Sequence, residues 1–129
     1  MKKAWPTILI GFLAITLLDC LGSLASRQMS FNYSYLLPFS FIIYIIIPFF
    51  ITRLTDRKTA IVSAGLLGLF DATIGWKISI ILKANTGNIK VQMTPPIVIT
   101  TIIIVTITAM LLGLLGTWIS TRIPISKKR

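Results

Sequence analysis

The sequence predicts an all-α fold, a polytopic membrane protein built as a bundle of four transmembrane helices. The 129-residue chain is 55% hydrophobic and 12% charged, with a mean hydropathy of +0.89, whereas a soluble domain of this length would need a mixed polar surface. Its apolar residues form four stretches of about 20 residues or more, long enough at ~1.5 Å per residue to cross a ~30 Å hydrocarbon core. We therefore expect one transmembrane domain, residues 1–129, with spans at about 4–25, 33–52, 59–82 and 96–119.

The basic residues predict the orientation of these spans. One set of flanking segments carries Lys2, Lys3, Arg53, Arg57, Lys58, Arg122, Lys127, Lys128 and Arg129, and the opposite loops carry only Arg27, Lys83 and Lys90. Because cytoplasmic loops are enriched in Lys and Arg, both termini are expected in the cytoplasm. The sequence thus predicts an integral protein of a bacterial plasma membrane, whose lipid bilayer is its main partner. The tail Lys127, Lys128 and Arg129 would contact anionic lipid headgroups.

The first span carries Asp19 near its outer end, beside Gly22, Ser23 and Ser26. An ionisable group in hydrocarbon costs roughly 2.5–3.5 kcal/mol even on insertion scales, so it usually marks a buried pair or a solute path. Asp19 is therefore a candidate functional residue.

The second span is rich in aromatic residues and contains Pro48. Proline removes a backbone hydrogen bond, so Pro48 predicts either a hinge or a static kink tolerated in lipid. Tyr33 and Tyr35 fit an outer interfacial belt. Tyr44 lies too deep for such a belt and is a candidate partner for a buried carboxyl group.

The third span combines Asp71 with a stripe of small residues at helical spacing, which includes Gly68 and Gly75. Small residues let helices approach closely in lipid, where packing drives association. Asp71 is therefore expected to face protein, and Gly68 and Gly75 to pack against a neighbouring helix.

The fourth span is a β-branched run that would suggest a strand in a soluble protein. A lone strand cannot pair its backbone in hydrocarbon, so we predict a helix that starts near Pro95 and Pro96. Gly113 and Gly116 form its packing stripe, and Thr106 and Thr108 offer hydroxyl groups inside the membrane.

Depth along the spans suggests which polar side chains meet. Counted at ~1.5 Å per residue from the outer ends, Asp19 and Lys77 lie at similar levels and could pair. The alternative for Lys77 is snorkelling to the outer interface. Asp71 lies deeper, near Tyr44, Thr106 and Thr108, whose hydroxyl groups are its predicted partners.

A weak internal similarity suggests two hairpin repeats. Leu18-Asp19 with Leu21-Gly22 resembles Phe70-Asp71 with Ile74-Gly75 once one residue is inserted. Repeats of this kind recur in transporters, with sites where the copies meet. Chance similarity between leucine-rich helices explains the match equally well.

Several classes of function find no support in the sequence. The chain has no His and no Glu, and its one Cys lacks a neighbouring base, so we predict no catalytic residues, no metal site and no cofactor. Asp56 is expected to be a solvated charge or a helix cap. The basic residues are split among membrane-flanking segments rather than gathered on one face, which argues against nucleic-acid binding.

Two functional hypotheses remain open. In the first, the protein is a small transporter or is channel-like, and Asp71, assisted by Asp19, binds a cation or carries protons, because low dielectric favours the protonated form of a carboxylic acid. Four helices enclose little space, so a solute path would require a homodimer. In the second, the protein is a non-transporting membrane assembly factor or partner subunit, and its aspartates only lock helices together.

Overall fold

The computed structural model describes residues 2–87 and 94–123, and these form a bundle of helices. Helix α1 is Trp5–Gln28, and α2 is Leu37–Leu54, which follows a 3₁₀ turn at Tyr33–Leu36. The third long helix consists of α3 (Arg57–Phe70), a π-helical turn (Asp71–Gly75) and α4 (Trp76–Ile81). Helix α5 is Pro95–Arg122. For the described residues, the predicted all-α fold with four helices long and apolar enough to cross a membrane is confirmed.

Local sequence accounts for the ends of these helices. Prolines occupy the first turns of α1, α2 and α5, where a missing N–H costs nothing and the fixed φ suits a helix. The side chain of Asp56 caps α3 by accepting a hydrogen bond of 2.9 Å from the Thr59 N–H. Helix α2 remains helical through Pro48.

Helix α5 packs closely against α2 and α3 at positions occupied by small residues. A methyl group added to Gly68 would lie 2.5 Å from Ala109 Cβ, and one added to Gly113 would lie 2.5 Å from Ala64 Cβ. At Gly116 an added methyl group would overlap the Ile45 carbonyl oxygen of α2. Close approach of helices at small residues is typical of packing in lipid.

Buried apolar side chains gather in one half of the bundle, where α1 and α3 begin and α2 ends. Phe12 and Phe70 stack beside this group, with ring centroids 4.5 Å apart, and join α1 to α3. Tyr44 and Ala109 extend the same buried cluster towards the middle of the bundle. We call the remaining members the apolar core, and they are Ala4, Ile8, Ile15, Ile47, Ile51, Ala60 and Leu67.

The outward faces of the four helices are apolar. Ile10, Leu21, Ile99 and Leu111 are each more than half exposed, and many other large apolar side chains share this arrangement. Soluble monomers rarely expose continuous apolar surfaces of this extent, and such surfaces mark contact with a membrane or with another protein.

Some sequence predictions lie outside the described residues. The proposed lipid-binding tail of Lys127, Lys128 and Arg129 and the outer-loop Lys90 belong to this group. Among the described residues, Arg53 joins the end of α2 to the end of α5 by donating to Ser120 Oγ at 3.3 Å and to the Ile123 carbonyl at 2.9 Å.

Candidate functional site

Two carboxyl groups from different helices converge beside Gly75. A methyl group added to Gly75 would overlap Asp19 Oδ2 of α1 and would lie 2.7 Å from Asp71 Oδ1 of the π-helical turn. The absence of a side chain at Gly75 therefore provides the space in which both carboxyl groups sit. We call Asp19 and Asp71 the carboxyl pair.

Asp19 is 2% exposed, and its two oxygens have different environments. The Tyr33 hydroxyl donates a hydrogen bond of 2.5 Å to Asp19 Oδ1, whereas the buried Oδ2 has no hydrogen-bond partner among the described residues. An unpaired buried polar atom costs free energy and calls for an explanation such as an ion, a water or a functional role.

Backbone contacts hold Tyr33 in position above Asp19. The Tyr33 N–H donates to the Asn85 carbonyl at 2.7 Å, and the Asn85 N–H donates to Ser26 Oγ at 3.1 Å. These bonds connect the 3₁₀ turn, the segment after α4 and the end of α1, so the hydroxyl group of Tyr33 points down into the bundle.

Asp71 begins the π-helical turn and accepts a short hydrogen bond from the Tyr44 hydroxyl of α2. Tyr44 is 1% exposed, so this contact lies in the interior of the bundle. Single π-helical turns inside α-helices are rare and occur frequently at functional sites. Asp71 is thus marked both by its buried partner and by its backbone.

Two cavities adjoin Asp71. The first, of about 160 Å³, has both members of the carboxyl pair on its wall together with Tyr33, Leu37, Ala72, Trp76, Ser79, Thr101 and Val105. The second, of about 200 Å³, is lined by Asp71, Tyr44, Ser40 and Thr108 with apolar neighbours. We call the first the Trp76 cavity. Asp71, Leu37 and Val105 belong to both walls, so Asp71 can meet a molecule in either space.

The predicted pairing of Asp19 with Lys77 is wrong. Lys77 is exposed on α4, and Asp19 is bonded to Tyr33 instead. The error has a simple cause: similar depth does not place two side chains on facing sides of their helices, and Lys77 lies on the exposed face of α4. Its snorkelling alternative agrees with this exposure.

The two threonines of α5 do not act as a pair. Thr108 lies on the wall of the second cavity with Asp71 and Tyr44. Thr106 instead packs against α3 near Gly68, and its buried hydroxyl has no hydrogen-bond partner among the described residues, so a bond from Thr106 to Asp71 is not formed. Residues two apart on a helix differ by roughly 200° in direction, which explains why only one of them reaches the cavity.

Sequence reasoning missed three contributors to the site. The sequence predicts an interfacial role for Tyr33 and a packing role for Gly75, and it predicts no role for Trp76. The short connection between α1 and α2 was the available indication for Tyr33, since it requires Tyr33 to lie over the last turns of α1. The direction of Trp76 depends on the π-helical turn, for which the sequence offers no marker that we recognise.

Asp56, the remaining acidic residue, lies apart from the site, at the start of α3. Hydrogen bonds from the Thr59 hydroxyl and then from the Thr59 N–H hold the pKa of Asp56 below its usual value of 3.8. Among residues 2–87 and 94–123, no cluster of three His, Cys, Asp or Glu side chains could hold a metal ion.

Comparison of the chain with protein-family models, with curated proteins and with solved structures finds no match. The interpretation of the site therefore rests on its geometry and chemistry.

Proposed function

We propose that this chain is a small polytopic membrane protein that binds and exchanges a cation or a proton at its carboxyl pair, as a transporter or channel-like protein. The observation that carries the proposal is the placement of the buried Asp19 and the half-buried Asp71 side by side, with one oxygen of Asp19 left without a hydrogen-bond partner among the described residues.

Membrane insertion is supported by the four apolar helices and by their exposed apolar faces. The uneven placement of Lys and Arg supports cytoplasmic termini. Ionisable residues inside membrane helices commonly line ion and proton paths.

The chemistry of two adjacent carboxyl groups favours exchange. Two carboxylates in one apolar site repel each other, so such a pair holds one proton or one cation more readily than it stays doubly charged. Among the described residues, no Lys or Arg forms an ion pair with either carboxyl group. A bound proton or cation is thus the natural counter-charge, and it can leave again.

The proposal includes a homodimer and two hairpin halves. The cavities beside Asp71 are small, so a continuous solute path would be completed by a second copy of the chain. Each proposed half contributes one aspartate, Asp19 or Asp71, and both receive a tyrosine hydroxyl from the α2 region.

A structural role is the second candidate function. The hydrogen bonds Tyr33–Asp19 and Tyr44–Asp71 connect separate helices, as expected of a membrane assembly factor or partner subunit whose aspartates lock the bundle. Under this alternative, the carboxyl groups need to accept hydrogen bonds but need not ionise.

Asp71→Asn and Asp71→Leu in reconstituted vesicles separate the two functions. Asn keeps the shape and can accept a hydrogen bond from Tyr44 but cannot ionise. If the pair exchanges protons, Asp71→Asn should retain thermal stability and lose solute-dependent proton movement, and Asp71→Leu should lose both.

The matched control is Asp56→Asn, which changes the one acidic residue outside the site and should behave as wild type in the flux measurement. Wild-type proton movement in Asp71→Asn, with loss of stability only in Asp71→Leu, would contradict the exchange function and favour the structural one.

A further inference from the structure

We infer that the Trp76 cavity binds a small organic ammonium ion, about the size of benzylammonium, between the carboxyl pair and the ring of Trp76. The inference rests on the proposed function, since it names the class of cation that the carboxyl pair exchanges for a proton.

The acceptors in the cavity match an ammonium group. Asp19 Oδ2 is buried and has no hydrogen-bond partner within residues 2–87 and 94–123, and Asp71 Oδ1 faces the same space beside Gly75. A primary ammonium carries three N–H donors and one positive charge. It can therefore satisfy the unpaired oxygen and balance one of the two negative charges of the pair, as the proton that it replaces does.

The rest of the wall suits an organic body. Leu37, Ala72 and Val105 are apolar, and Trp76 presents the side chain that interacts most favourably with cations through its ring face. Ligand sites in proteins commonly combine such an apolar lining with a few polar groups that fix orientation.

The volume of the cavity indicates the size of its ligand. An apolar cavity of about 150 Å³ is known to hold one benzene molecule, and the Trp76 cavity measures about 160 Å³. A single ring or a short branched chain carrying an amine fits this space.

The same wall is poorly suited to a hard metal ion. Calcium takes about six to eight oxygen ligands, and magnesium requires a near-ideal octahedron of oxygens. Five of the nine residues on this wall carry a side-chain oxygen, but only the carboxyl groups of Asp19 and Asp71 are charged. The hydroxyl groups of Tyr33 and Ser79 already donate hydrogen bonds, to Asp19 and to the Gly75 carbonyl. The apolar remainder of the wall offers a metal ion no ligand, whereas it favours the hydrocarbon part of an amine.

Binding and proton release are then coupled. The ammonium ion enters with its own charge intact, and the proton held by the carboxyl pair leaves to solvent, so the net charge of the site is unchanged. No covalent bond to carbon is made or broken. The coupling requires that protons and the ammonium ion compete for the pair.

The test is a titration of the purified full-length protein in detergent micelles, with Trp76 fluorescence as the readout. The background variant carries Trp5→Phe and Trp118→Phe, which leaves Trp76 as the one tryptophan. Benzylammonium is the probe, benzyl alcohol is its neutral counterpart, and the titration is run at about pH 6 to 8, where alkylammonium groups stay protonated.

We expect saturable binding of benzylammonium at least tenfold tighter than that of benzyl alcohol, and weaker as the pH falls because protons compete. Asp19→Asn in the same background should weaken binding at least tenfold, and Asp56→Asn should leave it unchanged. If Asp19→Asn lowers thermal stability, Asp71→Asn serves as the second variant, with the same expected loss.

Equal binding of benzyl alcohol, or unchanged affinity in both Asn variants, would overturn the inference. If benzylammonium does not bind but proton movement in vesicles still depends on Asp71, the ammonium inference is wrong and the proposed function stands. Conversely, benzylammonium could bind tightly and compete with protons while Asp71→Asn shows wild-type proton movement. That result would contradict the exchange function and support the ammonium site.

Discussion

The two halves of the bundle bury opposite kinds of side chain. Where α1 and α3 begin, the interior contains Ile8, Ile51 and Leu67, whereas towards the other end it contains the carboxyl pair with Tyr33. In lipid, an apolar side chain gains little from facing inward, so the apolar core reflects tight packing between helices. Buried carboxyl groups destabilise a bundle unless something compensates them. Under the proposed function, one half of the bundle holds the helices together and the other half binds the exchanged cation or proton.

Leu67→Ala should produce the largest loss of stability, because it truncates a fully buried side chain of the apolar core. Leu67 fills the notch left by Gly11 of α1, and the cavity would cost about 2–4 kcal/mol. The measurement is the free energy of unfolding in mixed micelles, with Leu69→Ala, at a 42% exposed position of the same helix, as the control.

Ammonium binding and proton exchange should survive in the fraction of Leu67→Ala that remains folded. Loss of exchange without loss of stability would show that the apolar core takes part in the chemistry, and the proposed division between the halves would fail.

Gly75→Ala should have a smaller effect on stability and a larger one on function. Its methyl group would overlap Asp19 Oδ2 and crowd Asp71 Oδ1, so the carboxyl groups must separate, at a cost of about 1–3 kcal/mol. We expect weaker benzylammonium binding in the Trp76 fluorescence titration and slower proton exchange in vesicles.

The matched control for this prediction is Gly65→Ala on the same helix. Its methyl group would meet the flexible side chain of Met110, with the nearest atom at 3.1 Å, and such a side chain can adjust. If Gly65→Ala and Gly75→Ala alter proton exchange equally, the effect belongs to helix packing in general and not to the carboxyl pair.

Asp56→Ala should have the smallest effect, since the cap of α3 is exposed and lies in neither interior. Because its pKa in the folded state is lowered from 3.8, Asp56 contributes stability that is present above its unfolded pKa and is lost as the pH falls through the folded value. Unfolding of wild type and Asp56→Ala at pH 7 and at about pH 2.5 checks this sign, given an ordinary Asp pKa near 3.9.

The difference between the two proteins should shrink at the acidic pH. A difference that persists or grows there would mean that the Asp56 carboxylate is not the stabilising form, and that the cap acts through another contact.

The sequence was sufficient for the helices and insufficient for half of the site. Hydropathy and length predict the four long apolar helices because membrane-scale length is a property of each segment alone. Depth counting also placed Asp71 at the level of Tyr44, the residue whose hydroxyl it accepts in the structure. Depth carries no information about which way a side chain points, so it failed for Lys77 and for Thr106. Whether these groups bind a cation or a proton stays a prediction.

Tyr33 illustrates a further limit of sequence reasoning. Its position depends on a backbone hydrogen bond to Asn85, a residue more than fifty positions later in the chain. No local pattern encodes such a contact, because it forms only when the ends of α1 and α4 already lie side by side.

The π-helical turn at Asp71–Gly75 changes the direction in which the side chains of α4 point relative to those of α3. Such a turn accommodates one residue more than an α-helical turn, which offsets the residues that follow by about 100°. A helical wheel drawn from α3 therefore assigns wrong faces to Trp76–Ile81. Results of cysteine or tryptophan scanning along this helix should be plotted on two helical wheels, one for the residues before Asp71 and one for the residues after the turn. A single helical period fitted to both parts would assign Trp76 and Ser79 to the wrong faces.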